Sequence, residues 1–205
     1  MNRLSTSSRS LTPALILFLL STIFLIAGCT RFMGQAVFIE PTIHIDSYGI
    51  GQGKTIAINV IDVRSDQVIG YRDTNCSKTA PIIISGNIAE SVQRTLVSAM
   101  SQQGFCPTSN GYGPRILTVE IRLLSYRAKD EHMSKRAMVK AILTARATNN
   151  SSFFNRDYQV EKEQEKIIAL NEDDNNRLIN DALSQPLTAL ATDQSLLDFL
   201  AQGSW

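Results

Sequence analysis

Apolar residues are spaced along this chain in three ways, and each spacing predicts a different element. Residues 55–63, TIAINVIDV, are β-rich and almost continuously apolar, which predicts a central strand covered on both sides. From Ile88 the apolar positions widen to Val92, Leu96 and Met100, the stripe of a helix. Asn87 to Glu90 reads as a capping box at its start, and Gly104 supplies the stop. Alternation then takes over. Leu117, Val119, Ile121 and Leu123 alternate with Thr118, Glu120 and Arg122, and Ala137, Val139, Ala141, Leu143 and Ala145 share one face of the next run. A third run, from Phe153 to about Ile168, is largely polar, and the short turns near Asp130-Glu131 and at residues 149–152 predict hairpins.

Helical spacing returns at the end of the chain. Glu172, Asp173 and Asp174 stand where a helix N-terminus favours negative charge, and Leu178, Ile179, Ala182 and Leu183 follow on one face. Pro186 is expected to kink or break this helix. Residues 194–201 form a last short helix, capped by Asp193 and packing through Leu196, Leu197, Phe199 and Leu200. Upstream, residues 36–39 are strand-like, Pro41 interrupts, residues 42–45 resume, and residues 48–53 are a glycine-punctuated turn. The order β-α-β-β-β-α predicts a single α+β domain, a mostly antiparallel sheet with helices packed on one face.

The longest apolar run belongs to none of these elements. Residues 1–10 are polar and positive through Arg3 and Arg9, residues 11–25 are apolar, and Ile26-Ala27-Gly28 are the small residues that precede signal-peptide cleavage. Ile26-Ala27-Gly28-Cys29 resembles a bacterial lipobox, in which the peptide is cut before the cysteine and the thiol carries fatty chains of the palmitate type. The competing reading is an uncleaved anchor, since the 18 residues 11–28 could just span a bilayer, but Pro13, Ser21 and Thr22 weaken that run. Each buried methylene contributes about 0.8 kcal/mol, and two lipid signals already anchor stably, so acylation of Cys29 implies permanent membrane residence. In lipoproteins an Asp after the lipidated cysteine favours the inner membrane. Thr30 is not Asp, which implies the inner leaflet of the outer membrane with the domain facing the periplasm. Three segments follow: a signal peptide over 1–28, a lipidated N-terminus and lead-in over 29–54, and the α+β domain over 55–205.

Charge and candidate chemistry narrow the function classes. Arg3 and Arg9 are the charged residues before Cys29, so a chain beginning there carries 18 basic and 19 acidic residues. That balance argues against a nucleic-acid partner. An oxidising compartment makes Cys76 and Cys106 a candidate disulfide, whose loop is worth about 3.5 kcal/mol on the chain-entropy estimate, with two unpaired thiols as the alternative. "GIGQGKT", residues 49–55, has three residues between Gly49 and Gly53 where a phosphate loop needs four, and it precedes a strand, so it reads as a turn. His44 and His132 lie in no metal-ligand pattern, and Asp130, Glu131 and His132 suit a solvated hairpin tip. No nucleophile elbow occurs, and neither a catalytic set nor a cofactor is expected. Asp62, Arg64 and Asp66 are the most interesting polar group. Alternation would place them on one face, either as an internal salt bridge at the strand exit or as a partner-binding set.

These features together resemble the YajG family of bacterial lipoproteins. The resemblance is carried by the lipobox at Cys29, "VFIEPTIHI" from Val37, "DVRSD" from Asp62 and "LTALATDQSLLDFL" from Leu187. It implies an outer-membrane lipoprotein and names no reaction. The leading expectation is a non-catalytic, lipid-anchored periplasmic domain that binds an envelope protein, with an open strand edge as one contact surface. The alternative is an auxiliary lipoprotein of a lipid or small-molecule transport system, holding an apolar ligand between helices and sheet above Ala137, Ala141 and Ala145.

Overall fold

The computed structural model describes residues 34–46, 49–72, 80–108, 112–131, 134–167 and 170–203. The proposed signal peptide, Cys29, Cys76 and His132 lie outside them. The elements are β1 (Gln35–Phe38), β2 (Thr55–Asp62), β3 (Val68–Arg72), β4 (Ala80–Ser85), helix α1 (Ile88–Gln102), β5 (Cys106–Thr108), β6 (Arg115–Glu131), β7 (Ser134–Asn149), β8 (Ser152–Lys166), α2 (Glu172–Ala191) and α3 (Gln194–Ala201).

β6, β7 and β8 form an antiparallel meander, and β6 organises the rest. One edge of β6 pairs with β7 along its whole length. The other pairs in parallel with β2 over Ile116–Ile121 and with β3 at Tyr126 and Arg127. Between these stretches the register slips at Arg122, so a bulge bends the strand where one neighbour gives way to the next. β5 extends the sheet beside β2, and β4 and then β1 extend it beside β3. α1 packs on β2 and β5, α2 on β7, β8 and α1, and α3 on β7, all against the same face.

The domain is α+β, as expected, but two expectations need correction. The long β6–β7 and β7–β8 ladders make the sheet mostly antiparallel, as expected, while β1, β2 and β3 add shorter parallel pairings. The element order holds more strands than β-α-β-β-β-α, since β3, β4 and β5 are only three to six residues long and carry too few turns of pattern to show. Pro186 does not break α2, which runs through it to Ala191. Proline inside a helix costs about 3 kcal/mol, and here Pro186 is buried beside Leu183, Leu187 and Leu190, whose burial offsets that cost. β1 and residues 39–46, within the stretch read as lead-in, are part of the same sheet-and-helix body.

The core fills the space between sheet and helices. Leu117, Val119 and Ile121 of β6, and Val139, Ala141, Leu143 and Ala145 of β7, face α2 residues Ile179, Ala182, Leu183 and Leu187, all fully buried. The alanines of β7 are filled space, with helix α2 lying close over them. Gly70 performs a related task in β3: a Cβ there would come within 2.0 Å of the Tyr126 carbonyl oxygen, so only glycine lets β3 reach β6.

Residues 39–45 form an extended strap laid along α2. Asn180, Ser184 and Thr188, four residues apart on the helix, accept the backbone N–H groups of Glu40, Thr42 and His44 at 2.7, 2.9 and 3.3 Å. Four helical residues rise about 6 Å and two extended residues about 6.6 Å, so the three hydrogen bonds stay in phase. Asn180 also donates to the Phe38 carbonyl, and Thr95 of α1 donates to that of Pro41. The helix side chains satisfy backbone groups that a neighbouring strand would otherwise pair.

Candidate functional site

Asp62 and Arg64 come together and Asp66 does another job. β2 ends at Asp62, and Arg64 turns back so that its Nε and Nη2 donate to the two carboxylate oxygens of Asp62, each at 2.8 Å. The Arg64 side chain is almost wholly covered, and its Nη1 is buried with no hydrogen-bond partner. Asp66 instead accepts the Val68 N–H at 2.8 Å and shapes the entry to β3. The pair therefore has the geometry of the internal ion pair at a strand exit.

The glycine-rich turn clasps the end of α1. Gly51 and Gly53 donate to the Gln103 and Gly104 carbonyls at 2.8 and 2.7 Å, and a Cβ on Gly51 would lie 2.4 Å from the Phe105 nitrogen. The Gly51, Gly53 and Lys54 amides are spent on protein carbonyls. Cys106 is exposed at the start of β5, while its expected partner Cys76 is outside the described residues.

The titratable groups with displaced pKa values, among the described residues, all tie helices to strands. Burial pushes the Tyr126 hydroxyl up to about 12 against the opposing charge of Arg72. That hydroxyl donates to Asn175, whose amide donates to Gln35, whose amide in turn donates to the Glu172 carbonyl, each bond 2.9 Å long. Tyr158 is raised, first by burial and then by its hydrogen bond to Asp193. Burial works to raise the Asp193 carboxyl, but hydrogen bonds from Tyr158 and Arg156, the Arg156 charge and the Leu196 N–H outweigh it and hold it low. Asp174 is lowered chiefly by the hydrogen bond from Lys166 at 2.7 Å, which outweighs burial, and it closes a capping box with Asn171. These groups anchor α2 and α3; they do not converge on a shared cleft.

The unexplained surface is the face of the sheet without helices. Seven large apolar side chains stand exposed among the described residues, and five of them, Phe38, Ile61, Val63, Tyr71 and Phe153, point to this one side. Their assignment follows from register: Ile61 is out of phase with the buried Ile58, Tyr71 pairs with Arg127, and Phe153 with Thr148. Half-buried Leu123 and Ile142 form a cross-strand pair between them, with Met138 alongside. Residues 55–63 read as a strand covered on both sides because of this face. Ile56 and Ile58 are buried under α1, whereas Ile61 and Val63 are about half exposed on the other side. The surplus apolar residues of that run were the signal for this surface in the sequence.

Ion pairs lie among these side chains, Glu120 being the cross-strand partner of Ile61. Arg122 and Arg146 meet Glu120 at 3.4 and 3.2 Å, Arg136 meets Glu163 and Glu165 at 3.0 and 3.4 Å, and Thr144 donates to Asp157 at 2.6 Å. The free edge of β8 is a poorer contact surface, because Glu161, Lys162, Glu163, Glu165 and Lys166 discourage strand pairing.

The fold and this face define an α+β domain with one side built for stability and one side, of mixed apolar and charged groups, open to solvent. The model of a family described as uncharacterised lipoproteins matches residues 41–201, and the chain belongs to that family. The uncharacterised lipoprotein YajG of Escherichia coli K12 is 22% identical over 191 residues, spanning 92% of this chain and 97% of the relative, and the same protein of E. coli O6:H1 gives the same figures. Among solved structures, protein XCC0632 of Xanthomonas campestris superposes with a TM-score of 0.56 at 10% identity, covering 80% of this chain and 94% of that one, which shows a shared fold.

Proposed function

We propose that this protein is a non-catalytic lipoprotein of the outer membrane, anchored through lipid on Cys29, whose periplasmic domain docks an envelope protein on the helix-free face of its sheet. Membership in a lipoprotein family supports the anchor. The observation that carries the docking role is that five of the seven large apolar side chains exposed among the described residues, Phe38, Ile61, Val63, Tyr71 and Phe153, stand on one face, because apolar surface left open in this way marks interaction sites. The core side needs none of these residues.

A photo-crosslinking amino acid placed at Ile61 or Tyr71 in living cells tests this reading. The expected result is one defined envelope protein captured from both positions and absent when the probe stands at Arg177 or Asp181 on the exposed side of α2. Equal capture of abundant bystanders from all four positions would exclude a dedicated docking face.

A further inference from the structure

We infer that the recess between β6 and β7 on the helix-free face receives a carboxylate from an acidic, apolar-flanked segment of the docked protein. The inference rests on the docking role proposed above and names the chemistry of the occupant.

The recess encloses about 250 Å³ and is lined by Leu123, Ser125 and Arg127 of β6, Met138 and Lys140 of β7, and Glu161 of β8. Its cross-strand pairs explain its make-up: Ser125 faces Lys140 and Arg127 faces Met138, so two cations and two apolar side chains interleave around one hydroxyl. Leu123 and Met138 are half-buried, Leu123 paired with Ile142, and Met138 in one cross-strand row with Arg127 and Tyr71.

Charge distinguishes this recess from the rest of the face. Arg122, Arg136 and Arg146 each have a carboxylate within 3.4 Å, whereas Arg127 and Lys140 have none in ion-pair range among the described residues. Glu161 is the one acid in the lining. It lies across the strands from Lys140 without bonding to it, so the recess keeps one net positive charge. A carboxylate placed between the Arg127 guanidinium and the Lys140 ammonium, with the Ser125 hydroxyl donating, would complete it. Apolar residues on either side of that acid would cover Leu123 and Met138. A lipid phosphate could meet the same cations, but Leu123 and Met138 line the recess itself and Tyr71 pairs with Arg127 beside it, apolar contacts that fit the side chains next to an acid in a polypeptide segment.

Methyl NMR of the full lipidated chain in nanodiscs tests this, with acetyl-Ser-Leu-Glu-Phe-Ser-amide and its Gln analogue as probes. The Glu peptide should shift the Leu123 and Met138 methyl signals saturably, and the Gln peptide should bind at least about fivefold more weakly. R127E/K140E should abolish the shifts and R127K/K140R should retain them, with unchanged Leu143 methyl signals showing that the core is intact. Equal binding of both peptides, shifts elsewhere, or no binding would overturn the proposal. So would signals that move only when phosphatidylglycerol is added, which would mean a lipid surface, or only on self-association. Crosslinking from Ile61 and Tyr71 separates the two levels. Capture of the same partner by wild type and R127E/K140E would leave the docking face standing and remove the carboxylate.

Discussion

The two sides of β7 face opposite environments. Its odd-numbered residues from Ala137 to Ala147 are all at most 1% exposed beneath the helices, while Arg136, Met138, Lys140, Ile142 and Arg146 look out from the helix-free side. One strand thus serves two purposes. The inner face is small and apolar so that helix α2 can lie close, and the outer face mixes aliphatic and charged groups as an interface does. The sheet was not made symmetric, as it would be in a protein with helices on both faces.

Substitutions on the two faces should separate stability from binding. The largest effect is expected at Leu143, where Leu143→Ala opens a cavity under α2 and should cost roughly 2–5 kcal/mol, read from chemical denaturation. Gly70→Ala forces a Cβ against the Tyr126 carbonyl and should cost about 1–3 kcal/mol, with no change in partner capture beyond the loss of folded protein. Asn175→Ala leaves the Tyr126 hydroxyl without an acceptor and the Gln35 Oε1 without a donor, and should also cost about 1–3 kcal/mol. Ile61→Asp and Tyr71→Ser should change stability by no more than about 0.5 kcal/mol while abolishing crosslinking to the docked protein. A large loss of stability from either outer-face variant would mean that the face is part of the core.

Acid offers a finer test of the inner face. Asp174 and Asp193 titrate below the ordinary carboxylate value of 3.8 in the folded protein. Their stabilisation is therefore complete above that value and is lost as pH falls through their lower folded values. A melting-temperature profile from pH 7 to pH 2 should drop in this acidic range. Asp193→Asn should flatten part of the drop, since Tyr158, Arg156 and the start of α3 then lose their charged partner at every pH.

Much of this was legible in the sequence where one residue pattern had one cause. The alternation of Leu117, Val119 and Ile121, the helical stripe from Ile88 to Met100 and the Asp193 cap all lie where the pattern places them, because each buries a single face against the core. β3 and β4 escaped notice since "VIGYR" and "APIIIS" are short and hold Gly70 and Pro81, residues that usually punctuate strands. Pro186 misled for the converse reason: tertiary packing of Leu183, Leu187 and Leu190 outweighs a local penalty. The strap depends on Asn180, Ser184 and Thr188 at four-residue spacing, a regular polar stripe that has meaning only once an extended segment lies beside it. Asp62, Arg64 and Asp66 could be singled out by sequence, yet of the helix-free face only Ile61 and Val63 left a signal, because its other members come from separate strands that only sheet register places on one side.

The most direct test of the docking face compares side-chain accessibility in intact cells and in the purified protein. Single cysteines at Ile61, Tyr71, Arg177 and Asp181, in a background with Cys76 and Cys106 replaced by serine, can be labelled with a small maleimide. Positions 61 and 71 should react slowly in cells and fast once purified, with 177 and 181 reactive in both. Equal labelling of all four positions in living cells would contradict a covered outer face.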